Sequence, residues 1–441
     1  MPCAPTWRAV RASPRERRRS AARPGNAKWR RVKRGTWAMG VVGTAQLVAA
    51  APASALRLAD ALARARAASP VVQSAAADVD VARGRLRQAR LLPANPVLSA
   101  DLARHTAPGG EDTKDRGVQL EQEIEVGGQR GLRVSAAQHD VAHADYVLAD
   151  RRRTVDGEVR RAFFGLAAAD RRQRLAAERL VLASRLAEAA RRRARAGEVG
   201  ALDARLAEVE TARAEQERTA AETERARAAA RLAVAIGAPP DEPLTVDAEE
   251  QVGFAGDTEE AFVARALAAR PDLAAAREER ARFETEASLA RRRGRVPNPI
   301  LRGFYREEQF EEHIAGGGVS IPLPIWNREQ GTEASLLAQA RGAAIEAARL
   351  EAAIPLEVHL ALVRRAAAEQ TWRRYEDVAL PAARSARDLL ERGYDAGYLS
   401  LPDLLLQQDR LLQTRAAAID AWRDLHEAEA DVSEAAAETS P

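Results

Sequence analysis

The chain of 441 residues reads as a mainly α-helical protein with a small β membrane part, in which one unit is written twice. Three observations predict this. Ala, Leu, Arg and Glu dominate and only 4% of residues are aromatic, a composition that favours long helices or coiled coil. Local signals recur in order at an offset close to 200. Four short runs leave the helical period for alternation of apolar and polar residues, which is a strand signal.

The first 55 residues stand apart. Residues 1–35 carry twelve Arg/Lys and one acid, Glu16, and residues 36–55 carry no charge. The remainder holds 56 basic and 63 acidic residues, so the formal charge of +4 hides a mature chain of −7. The basic run is therefore no argument for a nucleic-acid partner. The segment TWAMGVVGTAQLVAAAPASA (36–55) ends in Ala53-Ser54-Ala55, a small-x-small cleavage pattern. Basic n-region, apolar h-region and cleavage pattern together read as a secretory signal peptide. A first transmembrane helix is the alternative, but no later segment reaches the ~20 apolar residues of a helical span. The n-region is long, and translation from near Val32 would leave a conventional leader. Cys3 is the one cysteine and lies in this leader, so the mature chain has no disulfide or thiol chemistry.

The repeat comes next. Leu58, Ala61, Leu62 and Ala65 lead into Ser69-Pro70-Val71, as Ala261, Ala264 and Ala268 lead into Arg270-Pro271-Asp272. Asn95-Pro96-Val97-Leu98 is answered by Asn298-Pro299-Ile300-Leu301, and Gly117-Val118 by Gly318-Val319. QRG at 129–131 pairs with EQG at 329–331, and Gly197 and Asp203 with Gly397 and Asp403. Ordered matches at nearly constant spacing indicate an internal duplication. The expected division is 56–250 and 251–435, with a tail at 436–441.

Each copy has the same grammar. A helix, about 57–91 and 257–293, stops at an Asn-Pro, because the residue before proline is pushed toward extended conformation. Two strand runs follow, about 96–105 and 116–126, then 299–306 and 317–326, separated by the polar loops HTAPGGEDTKD and EEQFEEHIAGG. A long helical stretch broken by a short glycine motif completes the unit. Residues 131–196 would form a helix of roughly 100 Å. In it Leu175, Leu182, Leu186 and Ala189 have the seven-and-four spacing of a packed seam.

The second strand run sets Val118, Leu120, Ile124 and Val126 against Gln119, Glu121, Glu123 and Glu125, with Gln122 the misfit. Runs of about ten residues suit tilted strands of a transmembrane β-barrel. Known single-chain barrels begin at about eight strands, so four strands must either find partners in other chains or not span.

Over residues 56–435 the chain resembles the TolC family of outer-membrane efflux channels. The resemblance rests on the duplicated layout and on LEQEIEVGGQR (120–130), VSIPLPIWNREQG (319–331), ARPDL (269–273), GEVGALD (197–203) and GYLSLPD (397–403). The ending EVGGQR is most similar to the heavy-metal cation branch, the CzcC-like channels. The resemblance implies a homotrimer whose subunits each give four strands to a shared twelve-stranded barrel and their long antiparallel helices to a periplasmic α-helical tunnel. It implies outer-membrane lipid around the barrel, and work with a periplasmic adaptor and an inner-membrane RND-type pump. Pro322 and Pro324 depart from a central strand, since proline cannot donate to a ladder.

Candidate functional residues follow. Gly197 and Gly397 supply the permissive backbone of a tight helix–helix turn, and Asp203 and Asp403 suit the positive end of the returning helix. Capping of a hairpin is one reading. The resemblance adds adaptor docking at these tips and a closed-state network in which Tyr394 and Asp203 match family partners. Leu399 and Leu406 stand where the family pattern has charged groups, which makes the expected gate more apolar. Glu121, Glu123 and Glu125 either form a solvated polar face or line the pore, favouring cations by their field. His139 and His143 have a metal-sharing i,i+4 spacing on a helix, with a solvated surface the plainer reading. Trp326, Phe304, Tyr305 and Phe310 cluster around the second strand pair, as an interfacial girdle or as packing.

No P-loop, nucleophile elbow, dinucleotide fingerprint or Cys/His cage is present, so neither an enzyme, a cofactor nor a resident metal is expected. The expectation is an outer-membrane exit channel for divalent or heavy-metal cations. A channel for drugs or other small molecules is the alternative within the class, and an exported coiled-coil scaffold the alternative outside it.

Overall fold

The computed structural model describes residues 55–106, 113–197, 200–248, 258–308 and 312–437. The leader reading, Phe310, and Glu198-Val199 of the first glycine motif lie outside these residues.

The order of elements runs through the same sequence twice. The first pass comprises α1 (Leu58–Ala68), α2 (Pro70–Arg90), β1 (Val97–His105), β2 (Thr113–Glu123), α3 (Gln129–Arg195) and α4 (Ala201–Ala235). The second comprises α5 (Glu259–Ala269), α6 (Pro271–Arg295), β3 (Ile300–Glu308), β4 (Glu312–Ser320), α7 (Gln330–Arg374), α8 (Leu380–Asp395) and α9 (Leu401–Ala435). Two expected single helices are in fact pairs. Ser69 (ψ 124°) and Arg270 (ψ 121°) are extended because each precedes a proline, and Pro70 and Pro271 then open the next helix.

The long helix is there: α3 runs 67 residues, roughly 100 Å. Its seam packs as its spacing implies, with Leu175 and Leu186 buried and Leu182 and Ala189 half-buried. Its counterpart is split. Between α7 and α8 lies one π-helical turn, Tyr375–Ala379. Pro381 follows it at the start of α8, and its ring would meet the carbonyl four residues back in a regular α-helix. The wider turn relieves that clash.

Helix α3 packs along α2, α4, α6 and α9, and α7 packs along α6 and α9. One core joins Leu58 and Leu62 of α1, Phe163, Phe164 and Leu166 of α3, Leu232 of α4 and Trp422 of α9. A second joins Phe262, Leu273, Leu350, Ile354, Val358 and Val432. Buried alanines such as Ala167, Ala187 and Ala428 let the helix axes approach closely. Ion pairs stitch α3 to α9: Arg161 bonds Asp431 at 3.0 Å and Glu434 at 2.9 Å, and Arg172 bonds Asp420.

The four strands form one antiparallel sheet in the order β1-β2-β3-β4. Two strands end earlier than the alternation predicts. β2 stops at Glu123, and β4 stops at Ser320, two residues before Pro322. The prolines that argued against a central strand therefore lie outside it. Conversely, β4 begins at Glu312, inside the expected polar loop.

Candidate functional site

The register divides the sheet into two unlike faces. Leu98 faces Leu120 and Ala100 faces Val118; Leu120 faces Gly303, Val118 faces Tyr305, and Leu301 faces Val319. These side chains share one face, and they are not covered: Leu98 is 72% exposed, Leu102 83% and Val319 64%. A bare apolar face this broad marks an interaction surface rather than an ordinary solvated sheet. Nine residues make a strand of about 30 Å, enough to cross an apolar layer when tilted. Gln122, the misfit in the apolar row, turns to the backbone and donates to the carbonyls of Ala94 and Glu123.

The opposite face is polar and acidic. Asp101, Asp115, Glu121, Glu123, Glu308 and Glu312 share it with Arg302 and Arg306. Of the three expected pore glutamates, Glu121 lies directly across from Arg302 and accepts a hydrogen bond from Gln119 Nε2 at 2.6 Å. Glu123 accepts from Asn298 Nδ2 at 2.6 Å. Glu125 lies beyond the strand, paired with Arg133 on α3, its side chain 5% exposed. Alternation alone missed Arg302 and Arg306, because it says nothing about the neighbouring strand. Phe304 also points to this face, its ring lying over Gly316, where an added Cβ would come within 2.6 Å of it. Tyr305 lies on the apolar face and hydrogen-bonds His313 Nδ1 at 2.9 Å, and Trp326 is 86% exposed, so Phe304 and Tyr305 stand on opposite faces of the sheet.

At the other end of the helices stand the two glycine turns. Gly197 (φ +77°) and Gly397 (φ +80°) take the left-handed conformation that L side chains resist. The second turn is a Schellman closure: Tyr398 N–H donates to Gly393 O at 2.8 Å and Gly397 N–H to Tyr394 O at 3.0 Å. Ser400 then caps α9, its Oγ accepting from Asp403 N–H at 3.3 Å and donating to the Asp403 carboxylate at 2.5 Å. This Ser-x-x-Asp capping pair was readable in the sequence.

Tyr394 is buried at 8% exposure against Leu186 and Ala190 of α3, Ala207 of α4 and Leu404 of α9. It thus brings both hairpins together within one chain. The Arg193 guanidinium lies 5.0 Å from its ring centre, a contact that spacing did not suggest. Leu399 packs half-buried against the same cluster. Asp203 is half-buried one turn before Ala207, whereas Asp403 and Leu406 are exposed.

His139 and His143 both turn toward α6. His139 Nδ1 is 2.7 Å from Glu278 Oε2, and His143 Nδ1–H donates to Ala275 O at 3.0 Å. Among the described residues no group of three or more His, Cys, Asp or Glu is arranged to hold a metal, and no helix is long and apolar enough to cross a membrane.

A long-helix bundle joined to a four-stranded antiparallel sheet is the fold of solved outer-membrane channels. Residues 61–238 match the family described as outer membrane efflux protein. The chain is 28% identical over 355 residues to the cobalt-zinc-cadmium resistance protein CzcC of Cupriavidus metallidurans, covering 78% of this chain and 81% of that protein. Its fold is that of the outer-membrane channel OprN (TM-score 0.71, 18% identity, 86% of this chain and 89% of that one). It is equally similar to CusC (TM-score 0.71, 15% identity, 86% and 91%). The outer membrane protein VceC of Vibrio cholerae is a further neighbour (TM-score 0.69, 19% identity, 86% and 95%).

Proposed function

We propose that this chain is one of three identical subunits of an outer-membrane exit duct that releases divalent heavy-metal cations. In this reading it works with a periplasmic adaptor and an inner-membrane pump of RND type, and the leader at 1–55 exports it. The observation that carries the proposal is the sheet. Its edges are β1 and β4, and an open edge has no partner for its backbone groups in hydrocarbon, so strands that cross a membrane must close into a barrel. Four strands are too few, and three copies supply twelve. The apolar face then meets lipid and the acidic face lines the lumen, which a soluble coiled-coil scaffold would not need. The glycine turns become the periplasmic tips, with Gly197, Asp203, Gly397 and Asp403 where the adaptor docks. Tyr394, Asp203, Leu399 and Leu406 form the network that holds the tip closed.

The likeness to a cobalt-zinc-cadmium resistance protein and the acidic polar face both favour cations. Deletion followed by a susceptibility panel tests the cargo. The expected outcome is sensitivity to zinc, cobalt or cadmium, restored by the intact chain. Sensitivity to drugs alone would overturn the cation assignment, and a soluble periplasmic product in place of an outer-membrane trimer would overturn the duct.

A further inference from the structure

Where the sheet hands over to the helices, a cavity of about 470 Å³ collects oxygen atoms with nothing to bind. Glu123, Glu125, Gln129 and Asn298 line it. Three of their oxygens, Glu125 Oε2, Gln129 Oε1 and Asn298 Oδ1, are buried and have no hydrogen-bond partner. Gln129 is 1% exposed and the Glu125 side chain 5%. No N–H or O–H of the described residues reaches these three acceptors.

The direction of these oxygens follows from chemistry. Gln129 Nε2 donates to Val296 O at 2.7 Å, and Asn298 Nδ2 donates to Glu123 Oε1 at 2.6 Å. Both partners are pure acceptors, so neither amide can be turned round without setting oxygen against oxygen. Arg133 is likewise committed: it holds the other oxygen of Glu125 and donates to the carbonyls of Ala89 and Leu91. The wall offers little in return, because Pro93, Pro297, Pro322 and Pro324 line it and carry no N–H. Among the described residues Arg293 is the one cationic side chain lining the cavity, and it is solvent-exposed.

We infer that this cavity binds a hard divalent cation of the calcium type. Two carboxylates and two amide carbonyls form an oxygen-only ligand set from irregular backbone, which suits calcium's six to eight oxygen ligands and flexible geometry. No imidazole or thiolate lines the cavity, so zinc, cobalt and copper are poorly served there. The ion is therefore not the exported cargo. It bridges the exit from β2, the first turn of α3 and the entry to β3, and so fixes the bend between sheet and helix bundle.

Calorimetric titration of the full-length, detergent-solubilised, chelator-treated protein tests the inference, independently of any export assay. Calcium is expected to bind saturably at one site per chain, more tightly than magnesium or zinc. Glu125→Gln and Gln129→Met each weaken it at least about tenfold, whereas Glu178→Gln, a surface carboxylate on α3, leaves it unchanged. Absence of saturable calcium binding in the unmodified chain overturns the assignment. So do zinc binding more tightly than calcium and binding unaffected by both cavity variants.

Discussion

Replacing Arg270 with methionine tests whether the ARPDL motif is a structural lock. The Arg270 side chain is 4% exposed and ends the break between α5 and α6. Its guanidinium bonds Asp272 at 2.6 and 3.1 Å and Glu357 of α7 at 2.5 Å. Glu357 is about half exposed and regains water when freed, so it adds little. Asp272 is 19% exposed and keeps the Leu273 N–H, the more distant charge of Arg153 and the helix dipole. Breaking a buried pair costs about 3–5 kcal/mol, so a loss near 3 kcal/mol is expected for Arg270→Met. Adding Asp272→Asn removes the stranded charge and should recover about 2 kcal/mol. Denaturant midpoints and unfolding rates in detergent measure both, the rates because membrane-protein unfolding is commonly irreversible. The pH profile adds a signature. Burial works to raise the Asp272 carboxyl, but the Arg270 guanidinium outweighs it and holds the group below the ordinary carboxylate range. Its contribution is complete above the unfolded value near about 3.9 and is lost as pH falls through the lower folded value. The gap between unmodified chain and Arg270→Met should therefore persist from neutrality to about pH 4 and close in stronger acid. A loss under about 1 kcal/mol, or a double variant no better than the single, would refute the lock.

Three further outcomes follow from the same geometry. Leu120→Arg, on the bare apolar face, should lower outer-membrane assembly by about 2–4 kcal/mol, while Gln119→Arg on the polar face is tolerated; trimer yield in the membrane fraction reads both. Gly397→Ala meets no atom within 4 Å, so its penalty of about 1–2 kcal/mol is backbone strain alone; faster proteolysis at the 396–400 turn should report it. Arg302→Gln frees Glu121 from the cation opposite it, and should raise the cation-over-anion permeability of reconstituted channels, most clearly at low salt.

The duplication was legible because each copy keeps its own Asn-Pro, strand pair and glycine turn. The long helix and its leucine seam were legible for the same local reason. Strand limits were not. Residues Glu312 to Gly316 read as part of a polar loop, yet they form a strand, partly because Phe304 needs the bare backbone of Gly316 beneath its ring. Glu125 counted with Glu121 and Glu123 by alternation, but the chain turns at Gly128 (φ +72°) and brings Arg133 back onto it. A period carries no information across a turn. The proline that widens one turn before α8 was visible as a residue, but not as a π-helical turn, because that choice depends on whether the helix can continue past it.

The charge on the polar face bears on what the duct can select. Six carboxylates against two guanidiniums leave −4 on this face of each sheet, and the proposed trimer would gather −12 around one lumen. The two signs are not evenly placed. Arg302 answers Glu121 near the helices, while Glu308 and Glu312 stand opposite each other at the far end of the sheet with only Arg306 nearby. A field of this kind raises the local concentration of cations and repels anions, and it weakens with salt over a Debye length of about 8 Å. It distinguishes sign and not element, since no ring of soft ligands is present among the described residues to prefer zinc over calcium. On the proposed function, discrimination among metals falls to the pump that delivers them, and the acidic face would favour a delivered cation over an anion.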